Sequence, residues 1–392
     1  MRIALLHPSL AIRGGSEKVA IYQAKKLKEK GFDIILLTPF IDKKSTYNEL
    51  FKDVTIEKLG LTIPVPIAKR SINFLKILHY NPNKLKNFDL LLAHASMNIL
   101  AYRVKNKCNT PYISYIHHPY TFLYKKGFGY ENERKKLMGI LLYPPFSWLC
   151  SLQKYKQLDF NSIINSNFVF VNSKKIKNDV EKIYRIKNLE VCYPALDDKY
   201  HNVKVNFSIK KNSLLFTSRH IKQKMLHIIP DILVNINNKD VMCYITGKEE
   251  RPYTSMVKEK AKKLGVLNRM IFLGSINEEE LLELYLKCKV LIYPAISEDF
   301  GLSPIEGMAT GCLPIAWKDG GGVEETIING KTGFLAKAYD LNDYIERVKS
   351  ILENSKMYEE MCYKAKNESL KFNWNIHIEK IISKIEKVCA KN

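Results

Sequence analysis

The sequence has no long uninterrupted apolar run and no clustered cysteines or histidines, and these absences exclude several classes of protein. The longest apolar stretch, Leu137–Leu152, is broken by Pro144-Pro145 and is shorter than the roughly 20 residues that a membrane-spanning helix needs. The eight cysteines lie far apart and include no Cys-x-x-Cys pair, which disfavours a zinc site and a disulfide framework. The segment Met1–Pro8 is too short an apolar run for a signal peptide and predicts a first strand. We therefore expect a cytoplasmic protein with no segment that crosses a bilayer.

Length and composition indicate a folded chain with more than one domain. With 46% hydrophobic residues the chain has the composition of a globular protein, so intrinsic disorder is excluded. A chain of 392 residues is too long for one core of ordinary size. Two domains are the natural expectation.

The positive charge is concentrated in the first half of the chain. The net charge is +22, and residues 1–200 hold 33 Lys and Arg against 16 Asp and Glu, whereas residues 201–392 hold 29 against 24. A Lys-, Asn- and Ile-rich composition bias is one explanation of the total, but a bias alone should not favour one half so strongly. The alternative is a surface that faces anionic lipid head groups, where each cation contributes on the order of 1 kcal/mol.

Short apolar runs alternate with Lys-rich helical stretches along the whole chain, and this alternation predicts parallel sheets built from βαβ units. We predict strands at Ile3–Leu6, Asp33–Thr38, Leu90–His94, Tyr112–Ile116, Phe168–Val171, Leu214–Thr217, Met242–Thr246, Met270–Leu273, Val290–Tyr293 and Leu313–Trp317. The polar segment 193–211 lacks this periodicity and is predicted to be a linker. Ligands are then expected beyond the carboxyl ends of the strands, in a cleft between two α/β domains.

The segment Lys135–Lys156 combines lysines with Leu, Tyr, Phe and Trp side chains. One interpretation is a buried helix followed by a proline turn. The other is an amphipathic patch that lies in a membrane interface, where aromatic and lysine side chains are both well accommodated.

The clearest chemical signal is the acidic, glycine-containing segment 297–311, which follows the predicted strand Val290–Tyr293. Glu298 lies in the loop at the carboxyl end of that strand. Ser303, Pro304 and Glu306 have the spacing of a capping box, in which Ser303 is the N-cap residue. The free amides at such a helix start are also where a phosphate would bind.

Glu298 and Glu306, with seven residues between them, resemble the E-x7-E motif of glycosyltransferase family 4. Phe300-Gly301 and Pro304 also fall where that family has them, and the similarity continues to Phe334. The resemblance implies that Glu306 holds the ribose of a nucleotide and that Glu298 contacts the transferred hexose. It also implies that the backbone of Phe300, Gly301, Leu302 and Ser303 faces the sugar and the diphosphate.

Arg219 and Lys224 resemble the R-x4-K pair of the same family, which neutralises the diphosphate leaving group. Cations are expected there because negative charge grows on the leaving phosphate as the glycosidic bond breaks. Ser218 and Met225 depart from the family pattern, which usually has glycine at both positions.

Two further matches lie in the first half of the chain. Gly14-Gly15-Ser16-Glu17 resembles the Gly-Gly-x-Glu turn of the family, where Gly15 would lie close to a phosphate, although any glycine turn before a helix has this form. Tyr115–Pro119 resembles its Tyr-x-His-x-Pro segment. A histidine after a strand is often structural, but this position would let His117, rather than His118, orient the hexose or the acceptor.

The resemblance implies a GT-B fold, with two Rossmann-like α/β domains facing across a cleft. The expected domains are 1–200 on the acceptor side, completed by a C-terminal helix at 376–392, and 201–375 as the nucleotide-sugar domain. The implied reaction is metal-independent and cofactor-free hexosyl transfer with retention of configuration. GDP-mannose is the preferred donor, with UDP-hexoses next, and the expected acceptor is a saccharide or a lipid-linked glycan at an anionic, cytoplasmic membrane face.

Two other functions fit parts of the pattern. A non-hydrolysing UDP-sugar 2-epimerase has the same fold and binds a nucleotide sugar but needs no acceptor. A basic nucleic-acid-binding protein would fit the charge, but the sequence has no recognisable DNA- or RNA-binding motif, so we expect no nucleic-acid partner.

Overall fold

The computed structural model describes residues 1–43, 46–60, 77, 80–119, 124 and 153–390, which form two compact units. One unit comprises Met1–Ala195 and Trp374–Asn392, and the other comprises Leu196–Asn373. Each unit contains a parallel β-sheet with flanking helices. The predicted α/β fold with two Rossmann-like domains is therefore confirmed.

The first unit is built on a seven-stranded sheet whose neighbouring strands are all parallel. Its strands are β1 (Arg2–Leu6), β2 (Asp33–Thr38), β3 (Thr55–Lys58), β4 (Leu90–His94), β5 (Tyr112–Ile116), β6 (Phe168–Val171) and β7 (Leu189–Val191). Their spatial order is β3-β2-β1-β4-β5-β6-β7, so the order reverses between β1 and β4. In open α/β sheets, ligands bind at the carboxyl ends of the strands beside such a reversal.

Both faces of this sheet are covered, which explains why its central strands are apolar along their whole length. Along β1, Ile3 and Leu5 pack into one layer while Ala4 and Leu6 pack into the other, and all four are fully buried. The longer helices of the unit are Gly15–Glu29, Asn98–Cys108, Gln153–Ile164, Lys174–Tyr184 and Trp374–Cys389, and short 3-10 turns lie at Asn48–Asp53, Pro82–Leu85 and Ala95–Met97.

The last helix, Trp374–Cys389, completes the first unit although it lies at the far end of the chain. Ile378 and Ile381 are buried in the same layer as the helix Gly15–Glu29. Trp374 stacks on Tyr22 of that helix, with ring centroids 5.2 Å apart and planes 8° apart. The first unit is thus assembled from both ends of the sequence.

The second unit repeats the plan with a six-stranded parallel sheet. Its strands are β8 (Lys211–Thr217), β9 (Cys243–Thr246), β10 (Met270–Gly274), β11 (Cys288–Ile292), β12 (Leu313–Lys318) and β13 (Phe334–Lys337). The spatial order is β10-β9-β8-β11-β12-β13, with its reversal between β8 and β11. The helices are Asp198–Asn202, Ile229–Asn235, Arg251–Lys263, Glu278–Lys287, Leu302–Thr310, Leu341–Glu353 and Ser355–Ser369, and short 3-10 turns lie at Phe207–Ile209, Lys222–Lys224, Leu226–Ile228, Leu267–Arg269 and Gly322–Glu325.

The segment 193–211 is not the linker that its polarity predicts. The chain passes from the first unit to the second between Ala195 and Leu196, before the boundary expected at residue 200. The helix Asp198–Asn202 then packs on the second unit through Tyr200, which is fully buried and meets Tyr285 edge to face at 6.0 Å. The Lys366 ammonium also donates to the carbonyls of His201 and Val203, so this polar segment belongs to the folded second unit.

Most of the segment Lys135–Lys156, with its proposed amphipathic patch, lies outside the described residues. In the part of the chain that the structure describes, every helix is too short or too polar to span a bilayer.

Candidate functional site

The loop after β11 turns into the helix Leu302–Thr310 at Gly301. The φ angle of Gly301 is 86°, in the left-handed region that favours glycine. A Cβ atom at this position would lie 3.3 Å from the hydroxyl oxygen of Tyr293, closer than side chains normally pack. Gly301, the N-cap residue, has no side chain that could cap the helix, so the first-turn amides of Leu302 and Ser303 are suited to an anion.

The predicted capping box at Ser303 is wrong. The helix begins two residues earlier than this pattern predicts, at Leu302 instead of Pro304, because Gly301 supplies the non-helical turn before it. Ser303 therefore lies inside the first turn. Glu306 is 4% exposed, and its Oε2 accepts a hydrogen bond of 2.9 Å from the hydroxyl of Tyr285. A buried tyrosine therefore helps to orient this carboxylate.

Lys224 and Glu298 form an ion pair, in which the Lys224 ammonium donates to Glu298 Oε2. The side chains are 15% and 19% exposed, respectively. The ammonium also lies 5.6 Å from the centre of the Tyr293 ring, a distance at which cation–π attraction operates. Burial, and then the nearby Glu298 carboxylate, raise the pKa of Tyr293 well above its usual value. The structure therefore brings together two residues that the sequence separates by 74 positions.

The loops that carry these two residues are joined through their backbones. Strands β8 and β11 are neighbours at the reversal of the sheet, and the amide of Ile296 donates to the carbonyl of Gln223 at 3.0 Å. Lys224 ends a 3-10 turn and is followed by Met225, whose φ angle is 49°. Glycine, which the resemblance predicts at this position, adopts the left-handed conformation easily, and this chain adopts it with methionine.

A glycine-rich segment after β12 supports Glu298 from the other side. The amide of Gly322 donates to the carbonyl of Glu298 at 2.6 Å, and a Cβ atom on Gly321 would lie 3.0 Å from the Glu298 amide nitrogen. Asp319 adds a hydrogen bond of 2.6 Å from the amide of Ser297. Sequence reasoning had assigned no role to these residues, although the run of three glycines was a visible signal of close backbone approach.

Arg219 follows β8 and is exposed, and among the described residues it has no ion-pair partner. Its position depends on Gly247, after the neighbouring strand β9. Gly247 has a φ angle of 123°, and any Cβ atom there would overlap the carbonyl oxygen of Ser218. The structure thus holds the backbone before Arg219 by a close contact that only glycine permits.

Phe300 differs from its neighbours in the motif because its side chain belongs to the core. It is 3% exposed and meets Phe372 edge to face at 5.8 Å. At this turn Phe300 can therefore contact a ligand through its backbone.

In the first unit, Gly15 is the first residue of the helix Gly15–Glu29. Gly14, the N-cap residue, precedes it with extended backbone and has no side chain that could cap the helix. The helix follows β1, beside the reversal of the first sheet. The location fits the anion-binding turn that the motif predicts.

His117 is one of three buried histidines at the carboxyl edge of the first sheet. His7 follows β1, His94 ends β4 and His117 follows β5, which are three adjacent strands. Burial lowers the pKa of His7 to about 4, and burial together with neighbouring histidines lowers the pKa values of His94 and His117 well below the usual value. The rings are therefore neutral at physiological pH. By contrast, His118 is only half-buried, and its Nδ1 lies 3.1 Å from the carbonyl of Pro119.

Each of the three histidines offers a ring nitrogen within 4.8 Å of the others, so among the described residues this group has a spacing that could hold a metal ion. Hydrogen bonds already engage four of the six ring nitrogens, however. His94 Nδ1 and His117 Nε2 bond to each other at 3.0 Å, and His7 Nδ1 accepts from the Ser9 amide at 3.4 Å, which assigns the proton of a neutral His7 ring to Nε2. To coordinate one metal ion, the three histidines would each have to direct a lone pair at the same point, which requires tautomers other than those that these hydrogen bonds indicate. Sequence reasoning missed this cluster because its members are far apart along the chain.

Comparison with known proteins identifies the family. The family described as Glycosyltransferase Family 4 matches residues 13–200, and the one described as Glycosyl transferases group 1 matches residues 198–368. The chain belongs to glycosyltransferase family 4. The motifs at Arg219, Lys224, Glu298 and Glu306 therefore lie in a family 4 glycosyltransferase.

Relatives of this family 4 glycosyltransferase include two proteins of Dictyostelium discoideum. The alpha-1,3/1,6-mannosyltransferase ALG2 is 29% identical over 86% of this chain and 86% of its own length. A GDP-Man:Man(3)GlcNAc(2)-PP-Dol alpha-1,2-mannosyltransferase is 22% identical over 95% of this chain and 81% of its own length.

Solved structures share its GT-B fold across nearly the whole chain. Anabaena HepE, crystallised with UDP and glucose, has a TM-score of 0.77 and 17% identity, covering 99% of this chain and 100% of its own. Sucrose-phosphate synthase from Thermosynechococcus elongatus has a TM-score of 0.80 and 15% identity, covering all of both chains. At these identities the likeness establishes the fold alone.

Proposed function

We propose that this family 4 glycosyltransferase is a mannosyltransferase that moves mannose from GDP-mannose to a lipid-linked or saccharide acceptor. Transfer proceeds with retention of configuration and without a metal ion or other cofactor. The observation that carries the proposal is the Lys224–Glu298 ion pair beside the uncapped start of the helix Leu302–Thr310. The choice of mannose is supported by the relatives named mannosyltransferases, one of which has GDP-Man in its name.

The diphosphate is the part of the donor for which the second unit is best equipped. Arg219 and Lys224 supply two cations, and the first-turn amides of Leu302 and Ser303 supply hydrogen-bond donors. Cations and oriented amides stabilise the negative charge that grows on a leaving phosphate, and they need no metal to do so. Lys224 also holds Glu298, which couples the diphosphate to the sugar.

The two glutamates have separate roles in the proposed complex. Glu306, held by Tyr285, accepts hydrogen bonds from the ribose hydroxyls of the nucleotide. Glu298 lies at the turn before the helix and accepts from hydroxyls of the hexose. The backbone at Phe300 and Gly301 faces the same sugar.

In the proposed reaction, an acceptor hydroxyl oxygen forms a bond to the anomeric carbon of mannose. The bond from that carbon to the diphosphate oxygen breaks, and its electron pair leaves with the diphosphate. Attack occurs on the face from which the nucleotide departs, so the configuration is retained, and the hydroxyl proton passes to the departing phosphate oxygen. Arg219 and Lys224 act by neutralising the charge of the diphosphate, and Glu298 and Glu306 act by orienting the donor.

The first half of the chain provides the acceptor side of the proposal. Residues 1–200 contain 33 basic and 16 acidic residues, and this positive charge suits an anionic membrane surface on the cytoplasmic side, where a lipid-linked acceptor would be presented. Gly15 contributes an amide near the phosphates, and His117 orients the hexose or the acceptor.

The experiment that tests this function is a donor panel with membranes from cells that produce the protein. GDP-mannose, UDP-glucose, UDP-galactose and UDP-N-acetylglucosamine are each supplied in labelled form, and label in the lipid extract is measured with and without EDTA. We expect transfer from GDP-mannose, unchanged by EDTA, into a product with the anomeric configuration of the donor. Preference for a UDP-sugar would refute the assignment of the donor, and inhibition by EDTA would refute metal independence.

Two controls separate the other functions. Incubation with the donor alone would produce an epimerised sugar nucleotide if the chain were a non-hydrolysing 2-epimerase. Tight binding of nucleic acid that falls steeply with salt, together with no binding of nucleotide sugars, would instead indicate a nucleic-acid-binding protein.

A further inference from the structure

A continuous chain of hydrogen bonds runs through the buried interior of the first unit, from His117 to the last helix. His117 Nε2 lies 3.0 Å from His94 Nδ1, and His94 Nε2 lies 2.8 Å from Gln23 Oε1. Gln23 Nε2 lies 2.9 Å from His377 Nε2, and His377 Nδ1 lies 2.6 Å from the carbonyl oxygen of Tyr193. Four links therefore connect five residues that come from widely separated parts of the sequence.

The donor and the acceptor of each hydrogen bond in this chain follow from the carbonyl group of Tyr193 at its end. The carbonyl of Tyr193 can only accept, so His377 carries its proton on Nδ1. Burial lowers the pKa of His377 to about 4, which keeps the ring neutral and leaves a lone pair on Nε2. That lone pair accepts from the amide NH₂ of Gln23, which fixes the orientation of the amide. Gln23 Oε1 then accepts from His94 Nε2.

The same reasoning fixes the tautomer of His117. With its proton on Nε2 and a neutral ring, His94 has its lone pair on Nδ1 and accepts from His117 Nε2. A neutral His117 ring then keeps its lone pair on Nδ1. Within the part of the chain that the structure describes, no side chain or backbone group hydrogen-bonds to that atom. His117 is thus presented as a hydrogen-bond acceptor.

We propose that Gln23, His94 and His377 are positioning residues that hold His117 in one tautomer, with Nδ1 ready to accept a hydrogen bond from a substrate hydroxyl. The inference rests on the proposed function, because it needs a sugar or acceptor hydroxyl as the donor. It assigns a task to three residues that lie outside every motif named above.

Burial argues that the network does more than fill space. Gln23 and His94 are 0% exposed, His377 is 2% exposed and His117 is 6% exposed. Polar groups at this depth are costly unless all are paired, and apolar side chains would pack the same volume at lower cost. Because Gln23, His94 and His377 are paired at both polar atoms of their side chains, the network instead defines one orientation for each of these three residues.

The test interrupts the network at its centre without changing its shape. In Gln23→Met, a near-isosteric unbranched side chain replaces the amide and removes both central links. His377→Phe is a second interruption that keeps a ring in the same place. The matched control is Tyr112→Phe, which removes a buried hydrogen bond of 2.5 Å to the carbonyl of Ser162 at the opposite end of β5. Thermal unfolding establishes that each variant is folded.

Two readouts distinguish positioning from structural support. With ¹⁵N-labelled histidine, the ring-nitrogen shifts of neutral imidazoles differ between the two tautomers, and a His117→Ala variant identifies the relevant signals. We expect wild-type His117 to be protonated on Nε2 and both interrupted variants to populate both tautomers. Steady-state transfer should show kcat lower by roughly 10- to 100-fold, the scale of a misplaced catalytic group, with GDP affinity unchanged.

The outcomes are decisive for each claim separately. A wild-type His117 protonated on Nδ1, or interrupted variants that keep both the tautomer and kcat, would overturn the positioning role. An equal loss of kcat in Tyr112→Phe would also overturn it, because the effect would then be general. If wild-type protein transfers no mannose, the proposed function fails while the tautomer measurement still decides whether the network holds His117.

Discussion

Replacing Lys224 by alanine removes the cation that joins the proposed diphosphate site to Glu298. If Lys224 stabilises the developing charge on the leaving group, its loss should lower kcat by about 10²- to 10³-fold, corresponding to about 2.7–4 kcal/mol of transition-state stabilisation. Stability should change less. A charge-assisted hydrogen bond contributes about 1.5–3 kcal/mol, and the pair is 15% and 19% exposed, so we expect a value near the lower limit. For a domain of this size each 1 kcal/mol lowers Tm by about 2–4 °C.

The assay combines steady-state transfer kinetics, calorimetric binding of GDP and thermal unfolding. The matched control is Lys222→Ala, which removes an exposed lysine from the same 3-10 turn and should leave all three measurements close to wild type. Lys224→Arg keeps the charge and should retain part of the activity. Near wild-type turnover in a folded Lys224→Ala protein would refute the reasoning, as would equal losses in Lys222→Ala and Lys224→Ala.

Three further predictions follow from glycine contacts, the nucleotide site and buried histidines. Gly247→Ala should destabilise the second unit by about 3 kcal/mol or more in denaturant unfolding, because the added Cβ atom would overlap the carbonyl oxygen of Ser218. The control is Gly265→Ala, at a glycine that also has a positive φ angle but no atom within 4 Å of an added Cβ, and it should cost about 1 kcal/mol. Equal effects of the two substitutions would contradict the overlap with Ser218. Glu306→Ala should raise KM for the donor by about tenfold with a smaller change in kcat, and the reverse pattern would argue against ribose binding. Burial lowers the pKa values of His7 and His377 to about 4, against about 6.5 for a histidine in the unfolded chain, so the unfolded chain binds more protons between pH 4 and pH 6.5. The free energy of unfolding should therefore be highest above pH 6.5 and fall by up to about 1.4 kcal/mol per pH unit for each histidine as the pH drops towards 4. A flat profile would show that these rings are not buried in the neutral form.

The central strands were predictable because parallel strands buried on both faces are nearly continuous apolar runs. Strands β4 and β5 were predicted at their observed bounds, and β1 was predicted one residue short at its start. Three strands at the edges of the sheets, Thr55–Lys58, Leu189–Val191 and Phe334–Lys337, were missed. All three are only three or four residues long, so none has the longer apolar run that marks a central strand, and Thr55–Lys58 has no buried residue.

The candidate site was predictable where residues lie close together along the chain. Glu298 and Glu306 belong to one segment, and their spacing carries the family resemblance. The geometry around them was not predictable, because it depends on long-range contacts. The ion pair to Lys224, the hydrogen bond from Tyr285 and the support from Gly322 all join residues on different loops or helices.

The histidine cluster shows the same limit more sharply. His7, His94 and His117 are unremarkable one by one in the sequence, and only the strand order places them side by side. Knowing that three strands are parallel does not give their order, and the order decides which strand ends are neighbours. The helix start at Gly301 was missed for another reason, because a positive φ angle at glycine outweighed a well-formed capping pattern at Ser303.

The attachment of helix Trp374–Cys389 to the first unit has a consequence for how the protein is made. On the ribosome, chains emerge at about 5–20 residues per second, and N-terminal domains usually fold first. Here the first unit cannot be finished until the entire second unit has been synthesised, because His377 and Trp374 arrive last. The nascent first unit must wait with Tyr22 and Gln23 lacking their partners. Chaperone dependence during translation, and sensitivity to truncation before residue 374, should therefore be properties of the first unit rather than of the second.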